Sequence, residues 1–129
     1  RFYDEGGAGI QDLVEWLDGH KGGSAFEVAA GAYARVICHP QLFIEGNHRT
    51  ACLIASLLLG AAGHPAFVQT QDNIARILDV SNRIETHDKR SLFHGYRMSA
   101  LVTELTAIFA EGAQTPIHLV KGPIPLAGQ

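Results

Sequence analysis

The feature that most constrains the fold is a stretch at residues 25–38, where apolar side chains cover most of a helix's circumference. Phe26 and Val28, two positions apart, fall on nearly opposite sides of such a helix, and Val36 lies between them. A helix that is apolar nearly all round must be enclosed by other elements. The stretch therefore predicts a central, buried helix. Apolar residues make up 47% of the 129-residue chain, which is enough for one sizeable core.

Other helices are predicted from apolar residues at helical spacing and from helix-end signals. The first helix has an apolar face made of Ile10, Leu13, Val14 and Leu17. Ser24 followed by Glu27 is typical of a capping box that opens the second helix. The predicted helices cover residues 10–19, 25–38, 48–62, 72–84 and 91–111.

The ends of these helices set the expected domain organisation. Gly63 suits the end of the third helix, and Gly112 the end of the last. Alternation typical of a strand is no longer than residues 66–70. We therefore predict an all-α chain that forms one domain over residues 1–129, with a core at about 10–112 and an extended tail at 113–129.

Charge and hydropathy exclude two classes of partner. The net charge is −3 and the ten Lys and Arg residues are scattered, which argues against binding to nucleic acid. The longest strongly apolar stretch, residues 51–62, is too short to span a bilayer. Cys38 and Cys52 lie in apolar helical patterns and are expected to be buried, reduced thiols. No secretory signal is recognised, so we expect a cytoplasmic protein without membrane partners.

A polar loop with chemically active residues joins the two most apolar helices. Gly46 and Asn47 favour backbone conformations that direct successive N–H groups into an anion-binding nest. The loop then enters a helix N-terminus, where the helix dipole also favours negative charge. Arg49 would be mildly unfavourable there by itself, because it brings a positive charge to a positive helix end. A bound phosphate would resolve this conflict.

Two further loop residues suit catalysis on a phosphate. His39 is a natural general base because its imidazole titrates near neutral pH. Glu45 is a hard oxygen ligand beside the predicted nest, and Mg²⁺ is commonly shared between one carboxylate and phosphate oxygens. The residues thus predict a nucleotide site that uses Mg²⁺.

The string HPQLFIEGNHRT, residues 39–50, resembles the signature of the Fic family, His-Pro-Phe-x-(Asp/Glu)-Gly-Asn-Gly-Arg-x-x-Arg. The resemblance extends more loosely over about residues 10–111. It implies a compact helical domain with its active-site loop between two buried central helices. Most characterised Fic proteins transfer AMP from ATP to a Ser, Thr or Tyr hydroxyl of a target protein.

By this resemblance, each loop residue has an expected role. His39 would deprotonate the target hydroxyl, and Glu45 would hold Mg²⁺. Residues 46–48 would form the phosphate nest, and Arg49 would neutralise charge in the transition state. The partners considered are a target protein, an antitoxin or other inhibitory partner, and a second copy of the chain.

The spacing of the loop departs from the signature. His39 and Phe43 are four positions apart, whereas two positions separate the corresponding residues of the family. A two-residue insertion keeps His39 as the base. Without an insertion Gln41 takes that position, and an amide cannot accept the proton. We favour the insertion because His-Pro is retained and a loop can absorb two residues.

Two substitutions bear on which phosphate is transferred. His48 replaces the glycine before the arginine, and Cys52 stands where the signature has its second arginine. The related Doc toxin, a kinase, has a lysine at the position of His48. A Doc-like protein kinase is therefore the alternative enzyme. The family's inhibitory motif, (Ser/Thr)-x-x-x-Glu-(Gly/Asn), is not found. Glu111 and Gly112 match its last two positions, but Ala107 stands where the motif has Ser or Thr.

Two other hypotheses belong to different functional classes. The departures from the signature also fit a degenerate Fic domain that binds a partner or ligand without catalysis. His87 and Asp88, with His39 and His48, resemble the ligands of helical metal phosphohydrolases. Those enzymes need a later aspartate, and none follows Asp88. The metal-hydrolase hypothesis is therefore disfavoured.

Overall fold

The computed structural model describes residues 10–38, 46–87 and 94–114, with side chains in the last range described for residues 98–113. These ranges contain five α-helices and no β-strand, which confirms the all-α prediction for this part of the chain. The helices are α1 (Ile10–Gly19), α2 (Ala25–Ile37), α3 (Asn47–Ala61), α4 (Ile74–Glu85) and α5 (His94–Gln114).

Helix α2 is the centre of the packing, as its sequence predicts. Eight of its thirteen residues are buried, and α1, α3, α4 and α5 all pack against it. The Tyr33 ring meets Phe109 of α5 edge-on, with ring centroids 6.0 Å apart. Its hydroxyl shares a 2.8 Å hydrogen bond with Ser81 Oγ of α4. One buried residue therefore links three helices.

Helix α3 is less enclosed than its sequence suggests. Its buried residues form one stripe at intervals of four, whereas Leu53 and Leu57 are 60% and 64% exposed. The stripe is made of Asn47, Ala51, Ala55 and Leu59. Its mostly small side chains permit close approach to the alanine-rich α2, which turns the two leucines outward. The expected pair of buried central helices thus holds for α2 but not for α3.

Helix α1 is rotated relative to its predicted face. Leu13 is buried and Trp16 packs against the core, whereas Ile10 and Val14 are exposed. The reason is steric fit. The backbone of Gly31 on α2 leaves room for the Trp16 indole, because a Cβ at Gly31 would lie 2.3 Å from Trp16 Cη2. The largest side chain of α1 therefore determines which face meets α2.

The helix-end signals were only partly predictive. Ser24 is the N-cap of α2, but its side chain makes no capping hydrogen bond, so the predicted capping box is wrong. Gly63 follows α3 in the left-handed region, with φ 86°. The His64 N–H donates to the Leu59 carbonyl at 2.9 Å, which is the bond expected at a glycine-terminated helix.

Gly112 does not end α5, which continues to Gln114. Arg76 of α4 donates to Glu111 at 2.6 Å, one position before Gly112. The predicted extended tail therefore begins too early by two residues, since residues 113 and 114 are helical. The rest of that tail, residues 115–129, lies outside the described residues.

Candidate functional site

The candidate site lies where the end of α2, the start of α3 and the end of α4 come together. The Cys38 thiol, at the end of α2, donates to the His87 carbonyl after α4 at 2.9 Å. The loop from 39 to 45 lies outside the described residues. The predicted base His39, its alternative Gln41 and the predicted Mg²⁺ ligand Glu45 all belong to that loop.

Gly46 gives the entrance of α3 its shape. It is the N-cap residue, with φ 76° and ψ 17°, in the left-handed region. Its carbonyl accepts the first helical hydrogen bond, from the Thr50 N–H at 3.0 Å. A residue with a Cβ would be strained at this φ. The glycine thus lets the chain turn sharply into a helix whose first N–H groups have no intrahelical partner.

Arg49 lies in the first turn of α3 and is exposed. Its Nη2 atom is 4.0 Å from the point where a Cβ on Gly46 would stand, so the guanidinium folds back towards the helix entrance. Among the described residues, no hydrogen-bond or ion-pair partner is found for it. A cation at this end opposes the helix dipole, by about 0.3–1 kcal/mol at an exposed position. The arrangement would favour an anion bound between the guanidinium and the N–H groups.

Asn47 and His48 were predicted to line the same nest, and the structure directs their side chains elsewhere. Asn47 is only 4% exposed and belongs to the stripe that packs against α2. His48 Nε2 pairs with Oε1 of Glu85, the last residue of α4. Their backbone N–H groups still belong to the first turn of α3. Contact of either residue with phosphate remains a prediction.

Glu85 is a residue of this region that the sequence reasoning missed. It lies 37 positions from His48, so no local pattern connects the two. One signal was present, because a carboxylate in the last turn of a helix is electrostatically unfavourable unless something compensates it. His48 supplies that compensation.

Cys52, at the position of the signature's second arginine, turns towards the core. Its thiol is partly buried beside the Tyr33 hydroxyl, and burial raises its pKa. Burial likewise raises the pKa of Tyr33 to about 12. Both Cys38 and Cys52 are free thiols, which agrees with the expectation of reduced cysteines. Cys52 is less buried than expected. Its position makes it a neighbour of Tyr33.

Two weaker sequence signals concern Glu111 and the ligands of the metal-hydrolase hypothesis. Arg76 donates to Glu111 and holds the pKa of that carboxyl below its ordinary value. Glu111 thus belongs to the α4–α5 packing. Asp88 of the disfavoured metal-hydrolase hypothesis lies outside the described residues. No group of three His, Cys, Asp or Glu side chains within residues 10–38, 46–87 and 98–113 is arranged to hold a metal ion.

No family model matches the sequence, and neither a curated protein nor a solved structure shows significant similarity to the chain. Residues 39–50 and the geometry at the start of α3 are therefore the features from which a function can be inferred. Of the helices that the structure describes, none combines the length and the hydropathy needed to cross a membrane.

Proposed function

We propose that this chain is a Mg²⁺-dependent protein nucleotidyltransferase. It transfers AMP, or another nucleoside monophosphate, from a nucleoside triphosphate to a Ser, Thr or Tyr hydroxyl of a target protein. The proposal combines the resemblance of residues 39–50 to the Fic signature with the arrangement at the start of α3.

The observation that carries the proposal is the position of Arg49 beside Gly46. A left-handed glycine opens the helix, and an exposed guanidinium folds back over its entrance. Backbone N–H groups, the positive end of a helix and a planar cation together favour phosphate oxygens. A purely structural role for Arg49 would leave its cost against the helix dipole uncompensated by the described residues.

The chemistry assigned to the loop follows from the residue types and the resemblance. His39 accepts the proton of the target hydroxyl as its oxygen bonds to the α-phosphorus. The bond from the α-phosphorus to the bridging oxygen then breaks, and pyrophosphate leaves. Glu45 directly precedes the N-cap, and its carboxylate suits Mg²⁺ that is shared with phosphate oxygens. Bound Mg²⁺ would neutralise phosphate charge, and Arg49 would add to that stabilisation.

The test is labelling with ATP that carries its isotope on the α-phosphorus. The chain is incubated with Mg²⁺, labelled ATP and a cell lysate, and the proteins are analysed by gel and intact mass. Transfer of the α label, lost in His39→Ala, is the expected result. Nucleotide binding without transfer of either the α or the γ label to any protein would instead select a degenerate Fic domain that acts as a binding module.

The second candidate is a Doc-like protein kinase, which transfers the γ-phosphoryl group. It is favoured by His48, because an imidazole in the nest would change how the nucleotide lies. The pairing of His48 with Glu85 draws that imidazole towards α4, which weakens this reason and leaves AMP transfer preferred. Parallel labelling with γ-labelled ATP, for the wild type and His48→Gly, separates the two reactions. An antitoxin or other inhibitory partner and a homo-oligomer remain parts of the proposal.

A further inference from the structure

A groove separates α1 from α5 on the side of α2 that these two helices share. Both helices pack against α2, but in the described part of the chain they do not pack against each other. Small or short side chains form the floor, at Gly31, Ala34 and Cys38. The groove has a volume of about 600 Å³, which is within the range of ligand sites.

The α1 wall of the groove is an aromatic group held in place by three contacts. The Trp16 indole lies over Gly31, where no Cβ could fit. His20 stacks on it, with ring centroids 4.3 Å apart, and the Arg35 guanidinium lies 5.4 Å from its centroid. Asp12 in turn accepts a 2.7 Å hydrogen bond from Arg35. These contacts fix the position of the indole in the structure without any ligand.

The α5 wall presents hydroxyl groups at helical spacing, from Ser99, Thr103 and Thr106. Thr103 donates to the Ser99 carbonyl at 2.9 Å, and Thr106 donates to the Val102 carbonyl at 2.7 Å. Each threonine hydroxyl thus already donates its only proton within the helix, and its lone pairs can still accept hydrogen bonds. This wall favours a ligand that donates hydrogen bonds, as the N–H groups of an extended peptide do.

The charges along the groove are unequal at its two ends. At the Cys38 end, Arg35 is neutralised by Asp12. Glu27, at the opposite end, has no hydrogen-bond or ion-pair partner among the described residues and is exposed. A ligand that crosses the groove therefore meets one uncompensated negative charge, far from Cys38.

We infer that the groove binds an extended segment of the target protein, with a Lys or Arg side chain at Glu27 and the acceptor hydroxyl towards Cys38. The inference rests on the proposed function, because Cys38 directly precedes the predicted base His39. Cys38 lies eleven positions after Glu27, which corresponds to roughly 16 Å along a helix and to about five positions along an extended chain. The target thus carries its basic residue about five positions from the modified hydroxyl.

The experiment is titration of the ¹⁵N-labelled chain with capped hexapeptides in the absence of nucleotide. The probes are Lys-Ala-Ala-Ala-Ala-Ser and Ser-Ala-Ala-Ala-Ala-Lys, together with the same peptides carrying Glu in place of Lys. Trp16 is the only tryptophan of the chain, so its indole N–H signal reports on the groove without ambiguity. One lysine peptide should shift this signal saturably, several-fold to about tenfold more tightly than its glutamate counterpart, because the exposed carboxylate of Glu27 attracts lysine and repels glutamate.

The matched variants are Glu27→Lys and Glu15→Lys. Glu15 is an exposed carboxylate of α1 that does not line the groove. Glu27→Lys should reverse the preference between the lysine and glutamate peptides, and Glu15→Lys should leave it unchanged. The inference is overturned if the Trp16 signal does not move with any peptide, or if both variants behave alike.

The experiments distinguish an error in the groove inference from an error in the proposed function. Peptide binding that follows Glu27, without transfer of any nucleotide label, would retain the groove and reject the enzyme. Transfer of the α label to lysate proteins at an unchanged rate in Glu27→Lys would retain the enzyme and reject the groove.

Discussion

His48 at the start of α3 and Glu85 at the end of α4 pair through their side chains and so join two helix ends. Each side chain opposes the dipole of its own helix when charged, and each is compensated by the other. The pair also holds the entrance of α3 against α4, next to the predicted phosphate site. The side chains are 40% and 31% exposed, so solvent screens part of their attraction.

Replacement of Glu85 by Gln should therefore destabilise the fold modestly. We expect the free energy of unfolding to fall by about 0.5–1 kcal/mol, as measured by urea denaturation. Asp79→Asn is the matched control, because Asp79 pairs with Arg83 at an exposed position four residues away on the same helix. That variant should lose only about 0.2–0.5 kcal/mol. Equal losses of unfolding free energy in the two variants would show that the His48–Glu85 pair contributes no more than an ordinary surface ion pair.

Removal of the Arg49 side chain should move stability and nucleotide affinity in opposite directions. Arg49→Ala should weaken ATP binding by about 1.5–3 kcal/mol, the usual range for a lost charge-assisted contact. The same change relieves the unfavourable charge at the start of α3 and should raise stability by roughly 0.3–1 kcal/mol. Calorimetric titration and thermal unfolding measure the two effects. Unchanged ATP affinity in a folded variant would show that Arg49 does not bind the phosphates.

The choice of base in the loop can be decided by two substitutions. His39→Ala should abolish transfer while leaving ATP affinity largely intact, because a base acts on the target hydroxyl rather than on the nucleotide. Gln41→Ala should have a mild effect on transfer. Rates with α-labelled ATP provide the measurement. If transfer by His39→Ala equals that of the wild type, His39 is structural and the two-residue insertion is the wrong alignment.

Gly31 should be among the least replaceable residues of α2. A Cβ at this position would lie 2.3 Å from Trp16 Cη2, so Gly31→Ala should cost about 1–3 kcal/mol by forcing the indole outward. Gly60→Ala is the control, because nothing lies within 4 Å of its Cβ position in α3. It should instead stabilise the chain by roughly 0.5–1 kcal/mol. Denaturation curves and the fluorescence of Trp16 test both expectations.

Tyr33 should make the fold sensitive to alkaline pH. Its folded pKa of about 12 lies above the ordinary value of 10.0, so the native state holds this proton more tightly than the unfolded state. The corresponding stability is complete below pH 10 and is lost as pH rises from 10 towards 12. The loss should reach roughly 2–3 kcal/mol, because a pKa difference of one between the two states corresponds to about 1.36 kcal/mol. Tyr33→Phe should flatten this part of the stability profile, and an unchanged profile would contradict the assignment.

Local sequence patterns were sufficient to predict the helices. All five predicted helices are present, because the spacing of apolar residues acts within one or two turns. The central place of α2 was also predictable, since a helix that is apolar nearly all round has to be enclosed. The same local reasoning identified the loop residues to which the candidate chemistry is assigned. Their roles stay predictions.

Contacts between helices were decided only by the tertiary structure. Two faces of α3 were apolar in sequence, and the stripe of small side chains was buried because it fits closely against α2. His48 met Glu85 through the packing of α3 and α4, although 37 positions separate them. The face of α1 that carries Trp16 packs against α2 because Gly31 leaves room for the indole. Periodicity specifies which side chains share a helix face, whereas the shape of the neighbouring helix decides which face is buried and what each exposed charge can reach.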